Sequence, residues 1–255
     1  MEYIDTHTHT SDEAFDGEED GFVSRALKAG VTKMIQADVD SRERAAMYSL
    51  AERYPGVLFP MLGLYPGSVD KDWKKEFNAM LGWRNHGAVA IGEIGLDYHY
   101  GAEFAAEQKE AFRLQLELAA TMDLPVNIHL REATEDFFTI IGECSHLGLR
   151  GNLHAYSGSY ETFLRLQRFG DWRIGVGGVV TFKNASLAEV VRKVPLERIL
   201  LETDAPYLTP VPFRGTRNES SLIPVIAAKI AGIKGTTVEE VARVTTGNAK
   251  ELFRI

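Results

Sequence analysis

The sequence predicts an α/β fold, a single TIM-type (β/α)8 barrel filling residues 1–255 as one domain. Short apolar, β-branched runs alternate with longer amphipathic segments, which is the pattern of βα units and not of a sandwich or a bundle. Eight such runs can be counted. The length of 255 residues lies close to the roughly 250 that one such barrel occupies. No repeat, low-complexity tract or Gly/Ser linker divides the chain.

The series opens with Tyr3–His7, and a helix expected over Asp20–Ala29 leads to Thr32–Gln36. A helix over Ser41–Tyr54 precedes Leu58–Leu62, and Val89–Glu93 is the fourth run. The clearest helix is Glu103–Met122: Phe112, Leu116 and Ala119 recur three or four positions apart, Gln115 lies beside them, and Pro125 follows as a stop. Then come Pro125–His129, a helix over Glu132–Leu147, Asn152–His154, a helix over Tyr160–Phe169, Arg173–Val176, a helix over Leu187–Val194, and Ile199–Glu202. Two closing helices are expected over Ser221–Ala231 and Val238–Leu252.

Apolar residues at 45%, charged at 25% and aromatic at 10% match ordinary globular chains, which excludes disorder, coiled coil and collagen-like arrays. The longest uncharged run, Tyr54–Val69, is broken by Pro55, Pro60 and Pro66, so no transmembrane helix is expected. The start, Met1-Glu2-Tyr3-Ile4-Asp5, has neither the basic residues nor the apolar run of a signal peptide, and one cysteine, Cys144, allows no intramolecular disulfide. The cytoplasm is the expected compartment. With 28 basic and 36 acidic residues the net charge is −8, which argues against a sequence-reading DNA binder. It leaves room for an enzyme acting on phosphodiesters, because divalent cations reverse the potential inside one cleft.

Polar residues then fall where apolar strands should not carry them. His7 and His9 end the first run, Glu93 the fourth, His129 the fifth and His154 the sixth, and Asp204 follows the eighth by two residues. In a closed parallel barrel the C-terminal strand ends share one rim, where active sites of this fold are built. His7 and His9, two apart on an extended segment, project from one face and can bind one cation. Alone, such a pair is as easily a surface feature. With the others it becomes four imidazoles and two carboxylates, more than one tetrahedral ion needs, and two divalent ions are expected. Mixed imidazole and carboxylate ligation suits zinc, manganese or nickel, and magnesium less naturally.

Two cations activate water and hold the oxygens of a scissile group, so hydrolysis is the natural reaction. Glu93, with Gly92 and Gly95 leaving room, could give one oxygen to each ion. Asp204 could bind one ion and take the proton of the attacking water. Glu202 could support a ligand histidine or equally belong to a buried ion pair. Arg131, Arg214 and Arg217 could clamp phosphate oxygens, and Tyr98, His99 and Tyr100 could stack a base or simply pack as a rim loop. His86 and His146 suit helix ends, and Cys144 suits a packed position inside a helix.

The phrases Thr6-His7-Thr8-His9, Ile91-Gly92-Glu93-Ile94-Gly95-Leu96-Asp97-Tyr98, Pro125-Val126-Asn127-Ile128-His129-Leu130-Arg131-Glu132-Ala133 and Leu201-Glu202-Thr203-Asp204-Ala205-Pro206-Tyr207-Leu208 resemble the TatD family of metal-dependent hydrolases. Leu153–Ser159, Pro210–Glu219 and Thr245–Ala249 agree. The resemblance implies a barrel of the amidohydrolase-like metal-dependent hydrolase group and deoxyribonuclease activity, commonly 3′ to 5′ trimming of DNA. It implies one metal on His7, His9, Glu93 and Asp204, a second on Glu93, His129 and His154, and Asp204 as base. Single-stranded ends are the expected substrate, with no membrane and no obligate protein partner.

Two departures stand out. Gly63-Leu64-Tyr65-Pro66 carries tyrosine where many members have histidine, so Tyr65 can donate a hydrogen bond to substrate but does not titrate near neutral pH. Thr216 and Ser220 stand where lysine and proline are frequent. The competing readings are a deaminase, lactonase or cyclic-amide hydrolase of the same architecture, and a noncatalytic metal-binding scaffold.

Overall fold

The computed structural model describes residues 1–255. In chain order it holds β1 (Tyr3–Thr8), α1 (Glu19–Lys28), β2 (Val31–Gln36), α2 (Ser41–Arg53), β3 (Leu58–Pro60), α3 (Trp73–Leu81), β4 (Ile91–Asp97), α4 (Ala105–Met122), β5 (Val126–Arg131) and α5 (Thr134–Glu143). It continues with β6 (Arg150–Leu153), α6 (Tyr160–Leu166), β7 (Asp171–Val176), α7 (Leu187–Lys193), β8 (Ile199–Leu201), α8 (Ile223–Lys234) and α9 (Val238–Phe253). All strand pairs are parallel. They form two ladders, β1-β2-β3 and β4-β5-β6-β7-β8, joined at one seam by a Leu62–Ile91 bridge and at the other by a Thr8–Ala205 bridge. The eight strands and their outer helices make a TIM-type barrel, as the sequence predicts.

Local chemistry sets the helix ends. The Asp40 carboxylate accepts from the Arg42 N–H to open α2, and the Thr237 hydroxyl accepts from the Glu240 N–H to open α9, each satisfying one orphan amide of a first turn. The periodicity of α4 is realised: Phe112, Leu116 and Ala119 are fully buried. At the other side of the barrel, Ile4, Ala90 and Leu200 near the starts of their strands pack with Ala249, Leu252 and Phe253 of α9. The C-terminal helix therefore closes the end of the barrel away from the polar strand ends.

Some elements differ from the sequence reading. The helix α3 is an addition: Trp73, Phe77 and Met80 have helical spacing, but the polar residues between them hide it. The fifth helix stops at Glu143, so Cys144 is its buried cap and not an internal residue. Glu93 and His129 do not end their strands. The β4–β5 ladder runs on through Leu96–Leu130 to Asp97–Arg131, because Ile94, Leu96 and Leu130 continue the apolar run beyond the two ligands. Both lie inside strands that stand taller than the rest of the rim.

That taller pair depends on Gly95, whose φ is +142° and whose missing Cβ would meet the His129 carbonyl oxygen at 1.9 Å. Gly95→Ala adds an unfavourable backbone and a clash with main chain. It should cost at least about 3 kcal/mol, a fall in Tm of roughly 6 to 12 °C for a chain of this size, read by thermal denaturation of metal-free protein.

Candidate metal centre

The structure brings all six expected ligands together. His7 and His9 come from the end of β1, Glu93 from within β4, His129 from within β5, His154 from just past β6, and Asp204 from the turn after β8. His7 is fully buried, while Glu93 and His154 are 3% and 6% exposed, so these groups face one another and not water.

The Glu93 carboxylate divides its oxygens between two groups. Its Oε2 lies 3.4 Å from His7 Nε2 and 3.7 Å from His9 Nε2. Its Oε1 lies 2.9 Å from His129 Nδ1 and 2.8 Å from His154 Nε2. On the first side, Asp204 Oδ1 stands 3.5 Å from His7 Nε2 and 3.3 Å from His9 Nε2, and the two Nε2 atoms are 3.2 Å apart. Donors around one ion at 2.0–2.1 Å are separated by about 3.3 Å in a tetrahedron, close to the mutual spacing of His7, His9 and Asp204. His7, His9 and Asp204 place one donor each within 4.8 Å of one another, as do His7, Glu93 and His154. On the second side His129 Nδ1 and His154 Nε2 are 3.2 Å apart across the other carboxylate oxygen. Imidazole nitrogens aimed at each other and at a shared carboxylate fit divalent-cation ligation.

Surrounding residues hold the rings. Asn127 Oδ1 accepts from His7 Nδ1 at 2.9 Å, which leaves His7 Nε2 free for a ligand. Asn127 is itself oriented by donating to Asn152 Oδ1. Asp97 Oδ2 lies 2.8 Å from His129 Nε2 and turns Nδ1 toward Glu93. The Asp97 backbone is gripped in turn by Gln108. Such outer contacts fix tautomer and ring orientation in metal sites. The sequence reading missed Asp97 and Asn127. A signal for Asn127 existed, since it is polar inside an apolar run, two residues before His129 on the same strand face.

Asp204 sits in the left-handed region at φ +57°, a conformation aspartate tolerates better than most residues. Its N–H donates to the His7 carbonyl. The buried Asp5 carboxylate locks the turn, accepting from the Thr203 N–H and hydroxyl and from the Ser220 hydroxyl. Asp5 thus ties β1 to the chain after β8 at a seam with a single bridge.

The protonation states follow from burial and neighbours. Burial opposes charge on His7, but the Glu93 and Asp204 carboxylates outweigh it and push its pKa up to about 10. His154 goes the other way, to about 4, through burial and then the His7 charge; the two rings stack at 3.8 Å, so one cation excludes the other. Burial also opposes ionisation of Glu93 and Asp204, yet the surrounding imidazoles hold both below their ordinary values. Glu202 is completely buried. It accepts from the Ala155 N–H, lies 3.9 Å from His154 Nδ1, and is pushed up to about 8 by burial. Its Oε2 would collide with any Cβ at Gly175. Glu202 is therefore a neighbour of His154 and stands apart from the four-donor set.

The residues expected on the substrate side divide. Tyr65 packs edge-on against His129 with ring centroids 5.1 Å apart, and its hydroxyl reaches Asp97 Oδ2 at 3.4 Å. Burial and then the Glu93 and Asp97 charges raise its pKa, so it stays a donor. Arg131 rises beside the site with its guanidinium over the Tyr100 ring. The Arg217 guanidinium is engaged by Glu18 at 2.8 Å, Glu219 at 3.0 Å and the Ala14 carbonyl. Arg214 lies over Phe182. Tyr98 and His99 are tied to Asp136 and Glu132, and Tyr100, 86% exposed, lies between the Arg131 guanidinium and the His99 ring.

The family model described as TatD related DNase matches residues 4–254. A Bacillus subtilis (strain 168) protein, the uncharacterized metal-dependent hydrolase YabD, is 39% identical, with 99% of each chain covered. The 3′-5′ ssDNA/RNA exonuclease TatD of Erwinia billingiae is 33% identical over 94% of this chain and 95% of its own. The crystal structure of the TatD homologue YjjV from Escherichia coli K12 superposes with a TM-score of 0.90 at 31% identity, covering 99% of this chain and 98% of that one.

The raised pKa of Glu202 carries a sign. A carboxyl whose folded pKa exceeds its unfolded value contributes stability that is present below about 4.5 and lost as pH rises through about 8. In chelator-treated protein the Tm of Glu202→Gln minus that of wild type should therefore climb between pH 4.5 and pH 8. A flat difference across that window would show that Glu202 ionises without penalty.

Proposed function

The chain belongs to the TatD-related DNase family of metal-dependent hydrolases, and from that membership we propose a phosphodiesterase that uses two divalent ions to trim single-stranded ends of DNA in the 3′ to 5′ direction. The observation that carries the two-ion reading is the division of Glu93, with Oε2 facing His7 and His9 and Oε1 facing His129 and His154. One set has four donors and the other three, and a position left open is what a catalytic site requires. Bound there, divalent ions lower the pKa of a water and neutralise charge on the scissile phosphate.

The protein's own groups then have distinct tasks. Asp204, ionised and 15% exposed, is the proton acceptor for the attacking water. Asn127 and Asp97 hold the His7 and His129 rings so that one nitrogen of each faces inward. The Tyr65 hydroxyl, kept protonated, offers a donor at the edge of the His129 side. Arg131 supplies positive charge on the taller β4–β5 rim. DNA as substrate is supported by the family and by the activity in the name of the Erwinia relative. A confined site in a chain of net charge −8 favours frayed ends, because an intact duplex needs a broad basic surface.

Turnover of a generic phosphodiester, and of 3′-labelled single strands against closed circular duplex, tests the reading. Activity should vanish with chelator and return with metal, and circular duplex should resist. Equal degradation of both DNA forms would overturn the preference for ends, and chelator-insensitive turnover would overturn the metal mechanism. Asp204→Asn should lower kcat by about 10² to 10⁴ with a much smaller change in KM, read by steady-state kinetics. Glu93→Ala should lose at least one metal equivalent, read by elemental analysis of protein that still melts cooperatively.

A further inference from the structure

Arg44 lies in the first turns of α2 and is 1% exposed; its partner Asp38 is also 1% exposed. A buried guanidinium is costly to keep unless its donors are used, and here they are. Nε donates to Asp38 Oδ2 at 2.6 Å, Nη2 to the Gly63 carbonyl at 3.1 Å and Nη1 to Glu76 Oε1 at 3.2 Å. Asp38 Oδ2 also accepts from the Gly63 N–H at 3.0 Å. Both polar groups of Gly63 are pinned by one ion pair.

Gly63 forms a wall against the peptide that precedes the divided carboxylate. A Cβ on Gly63 would come within 2.7 Å of the Gly92 carbonyl carbon and 2.9 Å of the Glu93 nitrogen. The Asp38 backbone grips the same peptide, its N–H donating to the Gly92 carbonyl at 3.3 Å and its carbonyl accepting from the Glu93 N–H at 3.1 Å. This is also the seam between β3 and β4, where the ladder is reduced to one bridge. Backbone bonds across the seam run as far as the Gly92 N–H, which donates to the Leu62 carbonyl at 3.0 Å, and the next peptide, Gly92–Glu93, bonds to the Asp38 backbone instead.

We propose that the buried Arg44–Asp38 pair is a positioning device that sets, through Gly63 and the Gly92–Glu93 peptide, where the Glu93 carboxylate stands between the two imidazole pairs. The inference rests on the reading of Glu93 as a shared ligand. An apolar pair could fill the same volume, but it would offer nothing to the N–H and carbonyl of Gly63, and the wall behind Glu93 would loosen.

The test separates positioning from stability. Replacing a buried ion pair by apolar residues of similar size commonly leaves stability unchanged or improved, so Asp38→Leu combined with Arg44→Met is compared with wild type. Three quantities are measured: the Tm of metal-free protein, zinc binding by equilibrium dialysis, and the imidazole ¹⁵N resonances of metal-free protein. The double variant should melt cooperatively, bind one zinc equivalent at least tenfold more weakly, and show shifted resonances for the imidazoles that face Glu93, those of His7, His129 and His154. Wild-type zinc affinity and unshifted resonances would overturn the proposal.

If the double variant does not fold, Asp38→Asn, which preserves size and one acceptor, takes its place. It should shift the same histidines, and unshifted resonances would again overturn the inference. Zinc binding and resonances need no substrate. A wild-type protein that binds zinc but cleaves no phosphodiester therefore refutes the proposed nuclease function and leaves this inference to be judged on its own readouts.

Discussion

The Glu93 carboxylate, shared between two imidazole pairs, is the constraint from which the rest of the site follows. For one oxygen to serve His7 and His9 and the other His129 and His154, the backbone beneath must be crowded by nothing larger than hydrogen. Cβ atoms at Gly63 and Gly92 would come within 2.7 Å of their neighbours. The β4–β5 ladder must also continue past the ligands, because only that extension carries Asp97 to the far nitrogen of His129.

Concentrating this many ionisable groups out of water is unfavourable for each of them taken singly. In the metal-free protein the cost is spread by moving protons: His7 keeps one, His154 gives one up, and Glu202 holds one that an exposed glutamate would have lost. A divalent cation in such a cluster replaces protons as the source of positive charge, so its binding is coupled to proton release. The same logic explains the polar residues sealing the seams. Asp5, with three donors from Thr203 and Ser220, ties the ends of the chain path together behind Asp204, and Asp38 with Arg44 backs Glu93. At each seam the pairing is short, and each carries a buried carboxylate that accepts from backbone of the adjoining segment.

Much of this was legible along the chain. Polar side chains ending apolar runs are conspicuous, so the six residues that meet at the centre could be picked out from residue type and position. Their supports were harder to see. Arg44 lies in a helix rich in charge and reads as solvated, and nothing local shows that its helix turns it inward onto Asp38. Arg217 reads as available to substrate, but its ion pair with Glu18 joins segments about 200 positions apart in sequence. Trp73, Phe77 and Met80 had the spacing of a helix, but with Lys74, Lys75, Glu76 and Asn78 among them the apolar stripe is thin.

By itself the sequence determined the βα alternation, the barrel class and the chemical character of the centre, because strand and helix periods and the donor atoms of each side chain are local properties. Tertiary structure alone decided which oxygen of Glu93 faces which pair, which nitrogen of each histidine points inward, and which arginines are already engaged. Those choices turn on separations of about 3 Å between residues far apart in the chain, and such separations come into being only when the two ladders close into a ring and the seams are locked.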